Sequence, residues 1–435
     1  MLGFVAVLFL KKDEPREVLN RRRRLWFSRL SSKAGFSGLS SQVYVLVFLG
    51  FLFSLGRNIA FPYLAMFLAG KTQNGGLGFD SSLVGLMLMT GGLAFTFALP
   101  FTGSLCDRFG RRIMMMSSLI PQILLTIGFA YAHAYPEFLL LYATLGIVMA
   151  LFDPAYAAMI ADLVQPEKRE QVYGLNYMIG NVGFMAGLPI GGLIASISGY
   201  SVLYFYAAIF VSAAAVGLGL LIKESKPGEA AKASSPIVSS IFRDRIFILF
   251  CFMGALTNVV YSQLYSLLSV YTEHVGFEPY IFGILSSIAG AMVVTLQIPI
   301  RLGTVRIGPT KAFIIAQTFF AVGFTYFMFA SNFSQFLVAI AVLTLGEIIF
   351  FPASSAFVAN LAPADMRGRY MALMGLFFGI GGSTASLTVF SVYGMLANKS
   401  LIWGIWGTLG FAILPGYLLL LKIAGRNKSS VHGCS

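Results

Sequence analysis

Twelve apolar stretches, each of about the 20 residues a helix needs to cross a bilayer, run the length of this chain with only short polar breaks between them. They fall near residues 43–69, 80–105, 113–132, 137–161, 171–197, 201–222, 245–271, 279–301, 311–330, 335–361, 369–393 and 401–422. In hydrocarbon every backbone polar group must be satisfied within the segment, so such runs read as helices. Composition agrees: the 435 residues are 57% hydrophobic and 11% charged, against roughly 25% charged in a soluble domain. The expected fold class is all-α integral membrane.

The formal net charge of +13 does not indicate nucleic acid, because of where the charge lies. One side of the membrane carries Arg108, Arg111, Arg112, Lys168, Arg169, Arg301, Arg306, Lys311, Arg367, Arg369, Lys422, Arg426, Lys428, a basic amino-terminal tail and a basic central linker. The other side keeps only Lys71 and Lys399. Positive charge stays in the cytoplasm, so the expectation is a multi-pass cell-membrane protein with both termini and the linker cytoplasmic. Residues 1–42 form the basic tail, 43–222 a first six-helix bundle, 223–244 the linker, 245–423 a second bundle and 424–435 a carboxy-terminal tail. The tail begins with an apolar Met1–Leu10 too short to span and continues as KKDEPREVLNRRRRLWFSRLSSK. That order is the reverse of a secretory signal, and such a basic segment suits anionic lipid. Three cysteines (Cys106, Cys251, Cys434) and three scattered histidines give neither a disulfide framework nor metal spacing. The chain is expected to be no enzyme and to hold no metal and no cofactor.

The two halves overlay at one constant offset of 198 residues, as from Gly78 to Gly276. In that register Gly78-Phe79-Asp80 meets Gly276-Phe277-Glu278, and Gly85, Gly92, Arg108 and Gly110 meet Gly283, Gly290, Arg306 and Gly308. Phe152, Pro154, Ala155, Ala158, Ala161 and Leu163 meet Phe350, Pro352, Ala353, Ala356, Ala359 and Leu361, and Arg169 meets Arg367. Ungapped agreement of Gly, Pro and Arg across several helices indicates duplication. Twelve transmembrane helices in two pseudo-symmetric six-helix bundles follow, an arrangement suited to a rocking transporter with a midplane site. One chain holds both halves of such a site, so a monomer is expected to suffice.

Between spans two and three lies Gly103-Ser-Leu-Cys-Asp107-Arg108-Phe-Gly110-Arg111-Arg112. Gly103 allows close helix packing, Gly110 a tight turn, and Asp107 offers an anion near a helix end. The segment resembles the loop signature GxLxDRxGRR of the major facilitator superfamily, and the resemblance covers about residues 43–422. It implies a cytoplasmic gate that bridges the halves when the cavity faces outward, in which Asp107 meets the start of span eleven near Arg369, and Arg111 meets an acidic residue of span four, for which Asp162 is the candidate. The second copy, Arg301-Leu-Gly303-Thr-Val305-Arg306-Ile-Gly308, has Val305 in place of the Asp and is not expected to make that lock. Span five carries Gly183, Gly187, Pro189, Gly191 and Gly192, a small-residue stripe for helix packing. It resembles the glycine–proline motif of the family's antiporters, with Pro189 one place late. Span eleven has a similar cluster at Gly375, Gly379, Gly381 and Gly382.

Three ionisable residues fall deep inside spans: Arg57, Asp153 and Glu347. Each is costly in a membrane unless paired or used. The resemblance implies that spans one, four, seven and ten line a central cavity, and all three lie on that set. Span seven adds Asn258, Tyr261, Ser262 and Tyr265 on one helical face. Phe61, Tyr63, Tyr156, Phe350 and Phe351 are candidate aromatic walls. The carboxyls are candidate proton carriers, because burial favours the neutral form and a nearby Arg the charged one. Arg57 either supplies that switch or holds an anionic group. The leading expectation is proton-coupled efflux of small hydrophobic or amphipathic compounds, by resemblance to the multidrug/proton antiporter branch. The alternatives are a proton-coupled importer of a small anionic metabolite or peptide, or a lipid transporter. The ExxER signature of peptide transporters is absent, since the segment reads Ser54-Leu-Gly56-Arg57.

Overall fold

The computed structural model describes residues 39–70, 75–225, 238–363 and 366–432. Most of the basic tail, residues 1–38, and most of the central linker, residues 226–237, lie outside the described residues. Span one comprises α1 (Ser41–Ala60), a 3-10 turn at Phe61–Tyr63 and α2 (Leu64–Ala69). Spans two and three are α3 (Ser81–Phe109) and α4 (Arg111–Tyr131). Span four is divided into α5 (Tyr135–Met149) and α6 (Phe152–Leu163), and spans five and six are α7 (Pro166–Ser198) and α8 (Ser201–Leu221). After a 3-10 turn at Val238–Arg243, span seven is divided into α9 (Arg245–Tyr261) and α10 (Gln263–His274). Spans eight to twelve are α11 (Pro279–Ile307), α12 (Pro309–Phe327), α13 (Phe333–Leu361), α14 (Arg367–Met395) and α15 (Leu401–His432). No strand occurs among the described residues.

The duplication is visible in the helix ends. Ser81–Phe109 and Pro279–Ile307 begin and end 198 residues apart, and so do Tyr135–Leu163 and Phe333–Leu361. The turns match too: Gly78 and Gly276 have φ of 68° and 91°, and Gly110 and Gly308 have φ of 100° and 83°. These are conformations that glycine adopts and L side chains resist. The copies part at span four. Pro154 follows a break at Ala150 and Leu151, whereas its counterpart Pro352 sits inside an uninterrupted α13.

Among the described residues, eleven helical segments are long and apolar enough to cross a membrane. The twelfth, α12, is the span carrying Lys311 and Gln317. Gln317 is fully buried and its polar groups are satisfied. Thr257 Oγ1 donates to its Oε1 at 2.9 Å, and its Nε2 donates to the Gly410 carbonyl at 2.9 Å. Outward faces are apolar, with Leu140, Ile197 and Leu220 70–79% exposed, as lipid contact requires. The last helix continues through the basic segment to His432, while its spanning part ends at Ile423.

The bundles meet along two seams. α3 packs on α14, and α7 on α11. In the first seam a Cβ on Gly85 would meet Phe390 Cβ at 2.8 Å, one on Gly92 would meet Ser383 Oγ at 2.5 Å, and one on Gly379 would meet Thr96 Oγ1 at 2.6 Å. In the second, Ser287 Oγ donates to the Met185 carbonyl at 2.8 Å, and Tyr63 sits edge-on to Phe282 with ring centroids 5.5 Å apart. The far ends of spans one and seven also touch, where Gly70 abuts Glu273. All these contacts lie at mid-depth or on the side away from the basic loops.

Candidate functional site

Three of the four spans expected to line a cavity are broken at mid-depth. Span one breaks at Pro62, span four at Ala150–Leu151 and span seven at Ser262. Broken helices are tolerated in a membrane where they line a polar cavity. Between them lies a cavity of about 650 Å³. Its wall takes Arg57, Asn58 and Phe61 from span one, Tyr142 and Asp153 from span four, and Asn258, Tyr261, Ser262 and Tyr265 from span seven.

Two spans absent from the sequence expectation supply the rest. Span two contributes Gly91, Gly92, Phe95 and Thr96; span eleven contributes Gly375, Phe378, Gly379, Gly382 and Ser383. The signal for them was the glycines of spans two and eleven, whose missing side chains let the bundles approach and leave room beside the seam.

Span ten corrects the expectation. No residue of α13 lines this cavity, so Glu347 is not a wall residue. Its Oε2 is buried with no hydrogen-bond partner, while Tyr261 of span seven is part of the wall. The reason is local packing: Phe351, one turn further along α13, sits edge-on to Tyr261 at 5.0 Å between ring centroids and turns that face of the helix into the aromatic core. Of the candidate aromatics only Phe61 reaches the cavity. Tyr63 serves the seam, Tyr156 hydrogen-bonds Asn176 at 2.8 Å, and Phe350 and Phe351 pack in the second bundle.

Arg57 and Asp153 share the cavity without forming an ion pair, since no carboxylate lies within 4.0 Å of Arg57 among the described residues. Arg57 acts through space on both Asp153 and Tyr142. Asp153 occupies the first turn of α6, where the helix dipole favours a negative charge. The site thus offers one guanidinium and one carboxyl group, with no ion pair between them, set in apolar and aromatic walls.

The loop signature forms a second cluster, on the basic side. Arg111 is nearly buried, and its Nε lies 3.0 Å from Asp162 Oδ2. Its Nη1 donates to the Cys106 carbonyl at 3.0 Å. The residues just after span six complete the cluster. Ser225 Oγ donates to Asp162 Oδ2 at 2.8 Å, and the Glu224 carboxylate accepts from the Arg112 and Ile113 amides at 3.0 and 3.1 Å. The Arg111 amide donates to the Ser225 carbonyl at 3.4 Å, and the Arg112 guanidinium donates to the Gly219 carbonyl. Three of the four orphan amides at the start of α4 are therefore capped from more than 110 residues away. Arg108 lies over the Phe109 ring at 5.4 Å. Gly103 and Asp107 belong to the last turns of α3; the expected contact of Asp107 with span eleven falls outside the described side chains.

The span-five stripe packs as glycines pack. A Cβ on Gly183 would meet Ser54 Cβ at 2.9 Å, and one on Gly187 would meet Asn58 Cβ at 2.9 Å. Gly191 abuts the Ile59 carbonyl, and Gly192 would press on Tyr280 of span eight at 2.6 Å. Pro189 lies within the same helix. Among the described residues no cluster of His, Cys, Asp or Glu could hold a metal ion.

The family described as Major Facilitator Superfamily matches residues 46–386 and, in an overlapping match, 300–431. A protein from Planococcus maritimus named a Na(+), Li(+), K(+)/H(+) antiporter is 27% identical over 86% of this chain and 93% of its own length. Multidrug resistance protein MdtH of Aeromonas salmonicida is 23% identical over 95% of this chain and 98% of its own. Among solved structures, a peptide transporter POT in complex with sulfate superposes with a TM-score of 0.75 at 17% identity, covering 90% of this chain and 96% of that one. Nucleoside transporter NupG gives 0.75 at 14% identity, covering 88% and 100%. At those identities the likeness is one of fold.

Proposed function

The chain belongs to the Major Facilitator Superfamily, and from that premise we propose that this multi-pass membrane transporter exports small hydrophobic or amphipathic compounds in exchange for protons. The observation that carries the reading is a largely apolar and aromatic cavity between the bundles that holds one unpaired carboxylate, Asp153. A carboxylate in such a place is neutralised by a proton or by a cationic group, and each disfavours the other. That mutual exclusion is what exchange requires. The names of the two relatives, an antiporter and a multidrug resistance protein, support it. The proton is the coupling ion, no other cofactor is called for, and a single chain suffices.

Positive charge retained in the cytoplasm puts the basic loops, both termini and the linker there, in the cell membrane. The structure is then the inward-facing form, held shut on the outer side by the two seams. Alternating access proceeds by rocking one bundle against the other. The loop cluster around Arg111 and Asp162 joins spans three, four and six within the first bundle, and Asp107 is its candidate link to the second.

The test is pH-gradient-driven efflux of ethidium and tetraphenylphosphonium from proteoliposomes. Asp153→Asn should lower exchange at least tenfold while leaving a monodisperse, folded protein. Wild-type exchange in that variant would end the proposal. A second reading, uptake of a small organic anion, has Arg57 in its favour, because its guanidinium faces the cavity with no carboxylate within 4.0 Å. In that case small carboxylates raise the melting temperature of the wild type and not of Arg57→Gln.

A further inference from the structure

Several polar side chains of the cavity wall direct their hydrogens away from the cavity. Thr96 Oγ1 donates to the Gly92 carbonyl at 2.8 Å, Ser266 Oγ to the Ser262 carbonyl at 2.7 Å and Ser383 Oγ to the Gly379 carbonyl at 2.7 Å. Each bond runs to the preceding turn of the same helix, as hydroxyls within helices do. A hydroxyl has one hydrogen and two lone pairs, so each of the three is left as an acceptor. Two asparagines are used the same way. Asn58 Nδ2 donates to the Ser54 carbonyl at 2.7 Å and to Ser54 Oγ at 3.3 Å. Asn258 Nδ2 donates to the Phe378 carbonyl at 2.6 Å, and a Cβ on Gly382 would lie 3.0 Å from that nitrogen. Neither Oδ1 receives a hydrogen bond among the described residues. All five residues line the cavity.

The wall is therefore one-sided. Oxygens from spans one, two, seven and eleven lack a donor, and the fixed donor among the lining side chains is Arg57 of span one. The hydroxyls of Ser262 and Ser386, also in the wall, are rotors that turn to suit what is bound. In an apolar pocket a few placed polar groups set orientation and specificity.

We propose that the cavity selects amphipathic cations that carry N–H groups, protonated primary or secondary amines, over permanently alkylated cations of the same body and charge. The proposal rests on the efflux reading and names the substrate class of that site. Charge does not separate the two kinds of cation, since Asp153 offsets it equally in both. The oxygens of Asn58, Thr96, Asn258, Ser266 and Ser383 act on the N–H, which the alkylated ion lacks. A site built to hydrogen-bond a group rejects the analogue without it, because its own polar groups then lose water and gain no partner. An organic anion is disfavoured by the same oxygens, to which it brings only further lone pairs.

The experiment is calorimetric binding to the purified full chain in nanodiscs, with empty nanodiscs subtracted. The probes are naphthylethylammonium and its N-trimethylated counterpart, which share charge and ring. The wild type should bind the primary ammonium at least about tenfold more tightly. Ser266→Ala/Ser383→Ala should shrink that ratio to about threefold or less by weakening the N–H probe alone, and Asn258→Leu should shrink it as well. A ratio near one in the wild type, or a wild-type ratio in both variants, overturns the proposal. So does displacement of both probes alike by sodium or potassium chloride but not by choline chloride, because the oxygens then serve a bare metal cation. Should Asn258→Leu not fold, the serine pair decides alone, and a ratio read on one sample is insensitive to a loss of folded fraction. No gradient is applied, so equal binding of the two probes here and wild-type exchange in Asp153→Asn are separate results.

Discussion

Gly110 and Gly308 hold the same place in the two halves and the same positive φ, yet only one of them touches anything. A Cβ on Gly110 would lie 2.7 Å from Glu224 Cδ, while one on Gly308 would meet nothing within 4 Å. Backbone conformations reserved for glycine cost about 1–3 kcal/mol when another residue is forced into them. Gly308→Ala should therefore lose roughly that backbone cost. Gly110→Ala should lose more, because Glu224 must leave its two amides. Thermal unfolding in nanodiscs ranks the two, and equal losses would mean that the Glu224 contact contributes nothing. Both turns and the repeat were legible as a Gly-for-Gly match at one offset. The Glu224 cap was not, because a contact across 112 residues leaves no periodicity in either segment. Glu347 is the complementary case: its depth in span ten was readable, but which way its side chain faces was decided by Phe351 and Tyr261.

At the scale of helices, the span-five stripe distinguishes glycines that pack from glycines that do not. Gly187 faces Asn58 at 2.9 Å, whereas Gly180 on the same helix has nothing within 4 Å. Gly187→Leu should push span one away, at about 1–3 kcal/mol or more for overpacking, and lower the yield of folded protein. Gly180→Leu should leave melting unchanged or raise it slightly. Equal behaviour of the pair in size-exclusion and melting profiles would refute the packing role. Apolar length alone marks eleven of the spans among the described residues, and α12, with Lys311 and Gln317, is the weaker one. Their neighbours could not be read that way, since the walls from spans two and eleven depend on where glycines let two bundles touch. The breaks were only half readable. Pro62 and Pro154 lie at two of them, but Pro352 interrupts nothing and Ser262 breaks span seven with no proline beside it.

For the whole molecule, the two seams make one face of the bundle pair shut and leave the other free. Gly92 and Ser383 face each other across the first seam, with a Cβ on Gly92 lying 2.9 Å from Ser383 Cβ. A Gly92→Cys/Ser383→Cys pair, made in a background lacking Cys106, Cys251 and Cys434, should oxidise once the two helices give by about 1 Å, enough to reach the roughly 3.5–4.5 Å Cβ separation of a disulfide. It should stop turnover until reductant is added. Undiminished transport by the cross-linked protein would exclude a cycle in which this seam opens. The other end of the molecule raises a matter of timing. Arg112 is made 112 residues before Glu224, and a ribosome adding roughly 5–20 residues per second needs about 6–22 seconds to cover that distance. Through that interval Glu224 and Ser225 do not yet exist to cap the leading amides of α4. The first bundle is thus finished not when its last helix enters the bilayer but a few residues later, when the chain just beyond it folds back onto the turn at Gly110.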